Sequence, residues 1–219
     1  TQKLTNVSKE GLSVSYGYTN DDLSSMQIGS ANDYLKYSFT YSRLGNLTSV
    51  SRSSHNSDAV SLETYEYDEA RGNQTKVTYG NGGILQYEYD LQDRLIKAID
   101  TSSGQNVPLS QFFYNANGLL GKVYSYDIPN EPIWAKYQYD FAERFTGSQT
   151  SWGFGTHDIT YDKNNNNTGY TAALNGLTYK TTYAFNNVNN MNTMKLFDGK
   201  NQEIARELRG YDGSGRLIT

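Results

Sequence analysis

Short stretches of alternating aromatic and polar residues recur along the chain, each followed by a polar interval and then by a second apolar stretch. Residues 87–99, YEYDLQDRLIKAI, show the pattern clearly. Alternation with a period of two is typical of a β-strand with one face toward a core, so Tyr87 and Tyr89 share one side. Glu88 and Asp90 share the other. Each unit of the pattern therefore predicts one β-hairpin: a strand, a turn and a return strand.

The pattern repeats at nearly constant spacing. If the aromatic residue before each Asp, Asn or Ser is taken as the anchor, successive anchors are 22 to 26 residues apart. A weaker copy, anchored at Tyr18, precedes them. Such regular spacing indicates a tandem repeat. The eight anchors are Tyr41, Tyr67, Tyr89, Tyr114, Tyr139, Tyr161, Phe185 and Tyr211.

The polar interval of each copy carries residues suited to a tight turn. Asp or Asn at its start can accept backbone hydrogen bonds, and Gly118 or Gly215 can adopt a positive φ. Where glycine is missing, Asn165 and Asn189 are the most tolerant replacements in that conformation. The predicted turn starters are Asp68, Asp90, Asn115, Asp140, Asp162, Asn186 and Asp212.

Stacked hairpins predict an all-β fold. A lone hairpin is marginally stable in water, whereas neighbouring copies bring their aromatic rings into cross-strand pairs worth roughly 0.2 to 1 kcal/mol each. We predict a less regular segment with one weak repeat at residues 1–36. It continues, as one domain, into an array of eight hairpin repeats at residues 37–219. Residues 200–209 have a weakly helical pattern, but they fall where a strand should precede an anchor, so we favour a strand.

Composition shows that tyrosine takes the place of aliphatic residues. Leu, Ile, Val and Phe make up less than a fifth of the chain, whereas there are 20 tyrosines. The net charge of only -4 argues against disorder and against a nucleic-acid partner. The absence of cysteine excludes disulfides and thiolate metal sites. No apolar run is long enough for a membrane span, and no signal peptide is recognisable.

The copies YEYDEARGNQTKV, YEYDLQDRLIKAI, FFYNANGLLGKV and GYDGSGRLIT resemble YD repeats, also called Rhs repeats. These occur in bacterial Rhs and wall-associated polymorphic toxins, in shell components of insecticidal toxin complexes and in teneurins. The resemblance implies tandem antiparallel hairpins in a curved open sheet that forms part of a hollow shell. In the bacterial examples the shell encloses a carboxy-terminal toxin.

The resemblance therefore implies a structural segment of a secreted or surface-anchored bacterial toxin-delivery protein, without catalysis or cofactors. Its partners would be the rest of its own shell and the enclosed toxin. The bacterial shells usually end in a segment with Asp-Pro and Gly-Trp elements that acts as a self-cleaving aspartyl protease. No such segment occurs here, and the chain starts at Thr1, so we expect an internal stretch of the shell wall. Exposed strand edges also favour self-association.

Other candidate chemistry has a weaker basis. His157 beside Asp158 could be half of a hydrolytic pair, but no nucleophile motif accompanies it. His55 lies in a serine-rich stretch. The repeated aspartates could supply paired acids for glycoside hydrolysis, but their even spacing favours a turn role. Residues 162–169, DKNNNNTG, resemble a calcium loop, although Asn167 stands where the turn glycine should be.

The main alternative is a carbohydrate-binding adhesive module at the cell surface. Trp134 and Trp152, together with the many tyrosines, could stack on sugar rings. Choline-binding and glucan-binding repeats are also aromatic and glycine-rich, but they are built around Gly-Trp elements, and here only SWGFG, residues 151–155, is similar. The shell and the adhesive module both remain open hypotheses.

Overall fold

A computed structural model of the chain shows an all-β protein. The described residues form 18 β-strands and contain no helix. The predicted fold class, stacked antiparallel hairpins, is thus confirmed. Contacts divide the chain into two compact units, Thr1–Leu109 and Ser110–Thr219. The predicted single domain, with its irregular segment at 1–36, stays a prediction. The structure describes residues 3–9, 12–30, 32–127 and 131–218.

In the first unit, each strand pairs antiparallel with the next one along the chain. The weak copy anchored at Tyr18 forms the hairpin of the second and third strands. The strands are β1 (Asn6–Lys9), β2 (Leu12–Thr19), β3 (Asp22–Gly29), β4 (Tyr34–Tyr41), β5 (Leu47–Ser54), β6 (Ser57–Tyr67), β7 (Gln74–Tyr79), β8 (Ile84–Tyr89) and β9 (Leu95–Asp100).

The second unit has the same sequential antiparallel pairing. The unit begins at Ser110, which lies within its first strand. The strands are β10 (Val107–Tyr114), β11 (Leu120–Ser125), β12 (Ile133–Tyr139), β13 (Phe145–Thr150), β14 (Gly155–Tyr161), β15 (Asn167–Leu174), β16 (Leu177–Phe185), β17 (Met191–Phe197) and β18 (Glu203–Leu208).

Two predictions near the carboxy terminus have different outcomes. The favoured strand within residues 200–209 is confirmed by β18. The return strand expected in GRLIT is reduced to a single bridge between Tyr211 and Leu217.

The described residues contain no helix that is long and apolar enough to cross a membrane.

The anchored hairpins from Tyr18 to Phe185 have a bulge beside the anchor. In the copy anchored at Tyr89, the anchor pairs with Leu95 and Glu88 pairs with Lys97, so Ile96 is the extra residue. The same shift of one residue accompanies the anchors of the other described hairpins. A bulge of this kind increases the local twist and ends regular pairing at the edge of the sheet.

From Tyr41 onward, each anchored hairpin closes with a tight turn followed by a left-handed residue, whereas the Tyr18 hairpin closes with two left-handed residues, Asn20 and Asp21. The Asp93 N–H donates to the Asp90 carbonyl over 3.2 Å, and the Asp90 N–H donates to the Arg94 carbonyl over 3.0 Å. Asp93 has a φ of 61°. This combination is a common three-residue hairpin loop. The predicted positive φ is confirmed at Gly118 (86°), Gly215 (77°), Asn165 (65°) and Asn189 (63°).

One hairpin that has both this turn and the bulge escapes the sequence pattern. Phe197 pairs with Glu203 across a bulge, and the Asp198 N–H donates to the Gln202 carbonyl over 3.0 Å. Asn201 takes the left-handed position, with a φ of 61°. This turn joins β17 to β18, so it lies at the sheet edge opposite the turn that follows Phe185. Its anchor comes about half a repeat after Phe185, and for that reason the regular spacing did not reveal it.

The strands of each unit form a single layer. Within the described ranges, the contacts between strands connect only neighbours along the chain. Val77 and Ile99 are the only described apolar side chains that are buried, and Thr181 is the one buried polar residue with a side chain. Most side chains are half-buried because they pack sideways against adjacent strands. Lateral contacts therefore take the place of a core between layers.

Candidate functional site

The anchor tyrosines tie each hairpin to the one before it. The Tyr89 hydroxyl donates to the Gln74 carbonyl over 2.9 Å, and Gln74 is the residue that pairs with the preceding anchor, Tyr67. We call this recurring bond the tyrosine seam. It recurs from Tyr18 to Leu4 (3.0 Å), Tyr41 to Leu23 (3.0 Å), Tyr67 to Leu47 (2.8 Å), Tyr139 to Leu120 (3.0 Å), Tyr161 to Phe145 (2.6 Å) and Tyr211 to Met191 (2.8 Å).

The seam provides a hydrogen bond to a backbone carbonyl that lies beyond the end of the strand pairing between two hairpins. Pairing between β7 and β8 ends at Lys76 and Gln86, two residues after Gln74. The strands separate there because the bulge ends regular pairing, and the phenol bridges the gap. A hydrogen bond of this kind contributes about 1 kcal/mol net, and an unsatisfied carbonyl would cost more. Burial also raises the pKa of Tyr89, which extends the range over which its hydroxyl can donate to higher pH.

The two remaining anchors are Phe185 and Tyr114. Phe185 occupies the anchor position of its hairpin and pairs with Met191 across the bulge, but it has no hydroxyl to donate. Tyr114 pairs with Leu120 in the same register. Phe185 is thus a natural variant of the seam that keeps the ring and lacks the hydrogen bond.

The turn-starting carboxylates are saturated with donors. Asp140 Oδ1 accepts from the Ala142 N–H (2.9 Å) and the Arg144 N–H (3.0 Å), while Oδ2 accepts from Arg144 Nε (2.8 Å). These bonds, with the Arg144 side chain first, lower the pKa of Asp140. Asp90 and Asp212 make the same three bonds.

The other turn starters follow the same plan without an arginine side chain as a donor. Asp162 Oδ1 accepts from the backbone N–H groups of Asn164 and Asn166, and Oδ2 accepts from the Asn166 side-chain amide, which takes the place of the arginine. Its carboxylate is therefore engaged in the turn and does not form the calcium-loop arrangement that its neighbours suggested. The backbone N–H groups two to four positions onward also donate to Asp68, Asn115 and Asn186.

A second set of bonds crosses between copies at the turns. Arg144 Nη1 donates to Asn165 Oδ1 over 2.9 Å, and Asn73 Nδ2 donates to Asp93 Oδ1 over 2.8 Å. In both cases the acceptor is the left-handed residue of the next turn. The sequence suggested only that Asn tolerates this conformation. The structure adds that its side chain receives a hydrogen bond from the preceding copy, which a glycine could not accept.

Grooves recur between successive turns on the anchor edge. One, of about 340 Å³, is lined by residues that include Asn115, Tyr139, Asp140 and the fully exposed Phe141. Two others, of about 330 and 240 Å³, lie between earlier pairs of turns. The grooves open where the ladders between hairpins end, so they are a product of the same geometry as the seam.

The remaining catalytic and metal candidates are not brought together. His157 Nδ1 lies 2.8 Å from Asp158 Oδ2, and the two side chains are 44% and 76% exposed. The His55 ring contacts the edge of Tyr34. No cluster of three metal-binding side chains occurs among the residues that the structure describes.

The two tryptophans lie near each other. Trp134 on β12 and Trp152 in the turn after β13 both line a cavity of about 120 Å³. Trp152 is 63% exposed. The Trp134 ring has two ammonium groups close to it, because Lys122 Nζ and Lys136 Nζ lie 5.3 and 5.4 Å from its centre. Trp134 is therefore less open to a sugar ring than Trp152.

Comparison with known proteins agrees with this geometry. Residues 67–105 match the RHS Repeat family. This stretch contains the anchor Tyr89, its seam bond and the turn that begins at Asp90. The resemblance to YD or Rhs repeats is thus confirmed. No curated protein sequence matches the chain.

Solved structures share the fold. The crystal structure of TcdB2-TccC3-TEV has a TM-score of 0.56 and 14% identity, over 96% of this chain and 10% of that chain. TcdB2-TccC3-Cdc42 has a TM-score of 0.55 and 14% identity, over 94% and 10%. The Photorhabdus luminescens Tc holotoxin pore has a TM-score of 0.53 and 15% identity, also over 94% and 10%. The chain thus spans about a tenth of the length of these structures.

Proposed function

We propose that the chain is a non-catalytic segment of the YD/Rhs-repeat shell of a bacterial toxin-delivery protein, and that it helps to enclose a carboxy-terminal toxin. The tyrosine seam carries this proposal, because it converts hairpins of marginal stability into a continuous array. The RHS repeat at residues 67–105 and the Tc toxin shell neighbours support a structural role of the shell type.

The state of the polar residues supports a mechanical rather than a catalytic role. A general acid needs a raised pKa and a free proton to donate. Asp90 and Asp140 have lowered pKa values instead, because arginine side chains donate to their carboxylates. The anchor hydroxyls donate to backbone carbonyls. The recurrent polar groups are therefore occupied in holding turns and seams.

The same proposal assigns partners and a location. The partners are the rest of the parent shell and the toxin inside it, and exposed strand edges favour further self-association. The location is outside the cell or on its surface, where a toxin-delivery protein acts. No nucleic acid, cofactor or metal is part of the proposed role.

Protease protection in the longer parent protein tests the enclosure. The wild-type shell should keep the downstream polypeptide resistant to a protease that degrades it once it is released. Tyr139→Ala removes one seam ring and hydroxyl, so the enclosed polypeptide should become sensitive. Tyr179→Ala is the matched control, because Tyr179 is 44% exposed and is not an anchor. A downstream polypeptide that is equally sensitive in the wild-type protein would contradict enclosure.

A carbohydrate-binding role is the second candidate, since Trp152 is exposed beside Trp134. The cavity is small for this purpose, because ligand pockets usually measure about 300 to 1,000 Å³. Screening the chain against a panel of cell-wall and host glycans tests this candidate. Binding that is lost in Trp152→Ala would favour adhesion, and absence of binding by the wild-type chain would exclude the carbohydrate-binding role.

A further inference from the structure

Two lysines face each other on the second unit without a counter-charge. Lys122 on β11 pairs directly with Lys136 on β12. Like charges in directly opposed positions of a sheet are destabilising. In the part of the chain that the structure describes, neither ammonium group forms an ion pair with a carboxylate. No carboxylate of the described residues therefore offsets this repulsion.

The repeat explains how this pair arises. In the copy anchored at Tyr89, Glu88 stands opposite Lys97, and their charged atoms are 3.9 Å apart. In the copy anchored at Tyr67, Glu66 stands opposite Lys76, with a contact of 2.9 Å. The copy anchored at Tyr114 keeps the lysine as Lys122 and replaces the acid by Phe113. Of the three copies with a lysine at this position, only the one with Lys122 lacks the opposing carboxylate.

Aromatic rings hold the two ammonium groups in place. Lys122 Nζ donates a hydrogen bond to the Tyr124 hydroxyl and lies 4.1 Å from the centre of that ring, and both lysines lie near the Trp134 ring. Cation–π contacts of this kind attract an ammonium group to a ring face. Phe113, which is 42% exposed, meets the Tyr124 ring at its edge. We call Phe113, Lys122, Tyr124, Trp134 and Lys136 the lysine–aromatic cluster.

We propose that the lysine–aromatic cluster binds an acidic segment of a polypeptide, with a Glu or Asp carboxylate between the two ammonium groups and an apolar neighbour against Phe113. A carboxylate fits this position, because Glu66 and Glu88 supply one in the two other copies that have a lysine here. The exposed phenyl group supplies an apolar surface beside it. Trp134 lies beside two ammonium groups, which disfavours stacking by a sugar. The proposal rests on the proposed function only for the source of the segment, which would be the enclosed polypeptide.

The direct test measures binding of a short fluorescent peptide of alternating glutamate and leucine to the full chain by anisotropy. Replacing both lysines, Lys122→Gln with Lys136→Gln, should weaken binding about tenfold or more, since two charge contacts are lost. The matched control, Lys76→Gln with Lys97→Gln, should change affinity less than about twofold, because those lysines already have carboxylate partners. A peptide with glutamine in place of glutamate should bind weakly to every variant.

A second variant tests the role of the missing acid. Phe113→Glu introduces the carboxylate that Glu66 and Glu88 supply in two other copies, so it should compete with the peptide and weaken its binding about tenfold. Its melting temperature should stay within about 4 °C of the wild type, because the site is exposed and the change is worth about 1 kcal/mol. Folding can thus be checked separately from binding.

Three outcomes would overturn the proposal. They are unchanged peptide affinity in the double lysine variant, equal affinity for the glutamine peptide, and tighter binding of a polygalacturonate oligosaccharide than of the acidic peptide with the same dependence on Lys122 and Lys136. The titration uses an added peptide, so it is independent of protease protection in the parent protein. A shell that failed to enclose its toxin would leave the peptide result unchanged, and the reverse also holds.

Discussion

Two consecutive hairpins of the second unit are linked to the hairpin before them by different groups. The hairpin anchored at Tyr161 uses its hydroxyl, which donates to the Phe145 carbonyl over 2.6 Å. The hairpin anchored at Phe185 has no hydroxyl at this position. There, Asn164 and Asn166 both donate their amide groups to Asn189, over 2.8 and 3.1 Å.

The difference shows that the link between copies has two parts, a phenol in the seam and an amide or guanidinium bond at the turn. The Tyr161 hairpin has both, since Arg144 reaches Asn165 and lies over the Tyr161 ring at 4.6 Å. The Phe185 hairpin keeps only the turn part and has it doubled. The two parts therefore stabilise the same junction and can replace each other in part.

The largest expected effect comes from removing an entire seam side chain. Tyr139→Ala removes a half-buried ring and its bond to Leu120, so we expect the free energy of unfolding to fall by about 2 to 4 kcal/mol. Urea denaturation followed by fluorescence measures this change. Tyr179→Ala controls for loss of an exposed ring and should cost distinctly less. Equal costs would show that the anchors are not special.

Converting one hairpin into the type of the other isolates the hydroxyl. Tyr161→Phe keeps the ring and removes the donor, leaving the Phe145 carbonyl unpaired at the seam. We expect a loss of about 1 kcal/mol, or about 2 to 4 °C in the melting temperature. Tyr179→Phe should be nearly neutral in the same calorimetric experiment. A neutral Tyr161→Phe would show that water replaces the phenol without cost.

The reverse exchange should stabilise the protein. Pairing between β15 and β16 ends at Gly169 and Thr182, so the Asn167 carbonyl lies beyond the ladder, as at the other seams. Phe185→Tyr places a hydroxyl where Tyr161 has one, and we expect a gain of about 0.5 to 1 kcal/mol. The thermal midpoint should rise by a few degrees at most. A decrease would mean that the doubled amide bonds at Asn189 have closed the gap and leave no room for the hydroxyl.

The hairpins, their anchors and the left-handed turn residues follow from local rules, because alternation, Asx turns and positive φ depend on a few neighbouring residues. The acceptors of the anchor hydroxyls do not. Gln74 becomes an acceptor for Tyr89 only because a bulge ends the ladder between two copies, and that depends on pairing in three dimensions. For the same reason the sequence did not indicate that Lys122 would lie opposite Lys136.

The smallest expected effect concerns alkaline pH and the ring of Tyr65 beside the anchor Tyr67. The Tyr65 hydroxyl donates to the Glu63 carboxylate, and this bond, with burial, raises the pKa of Tyr65 from 10.0 to about 12. The unfolded chain therefore loses this proton first as pH rises. The stability that the bond contributes is complete below pH 10 and should be lost between about pH 10 and 12. Tyr65→Phe should make the urea midpoint fall less steeply over this range than in the wild type, although the partly exposed position keeps the difference small. Parallel curves for the two proteins would show that the Glu63 bond contributes nothing to stability in solution.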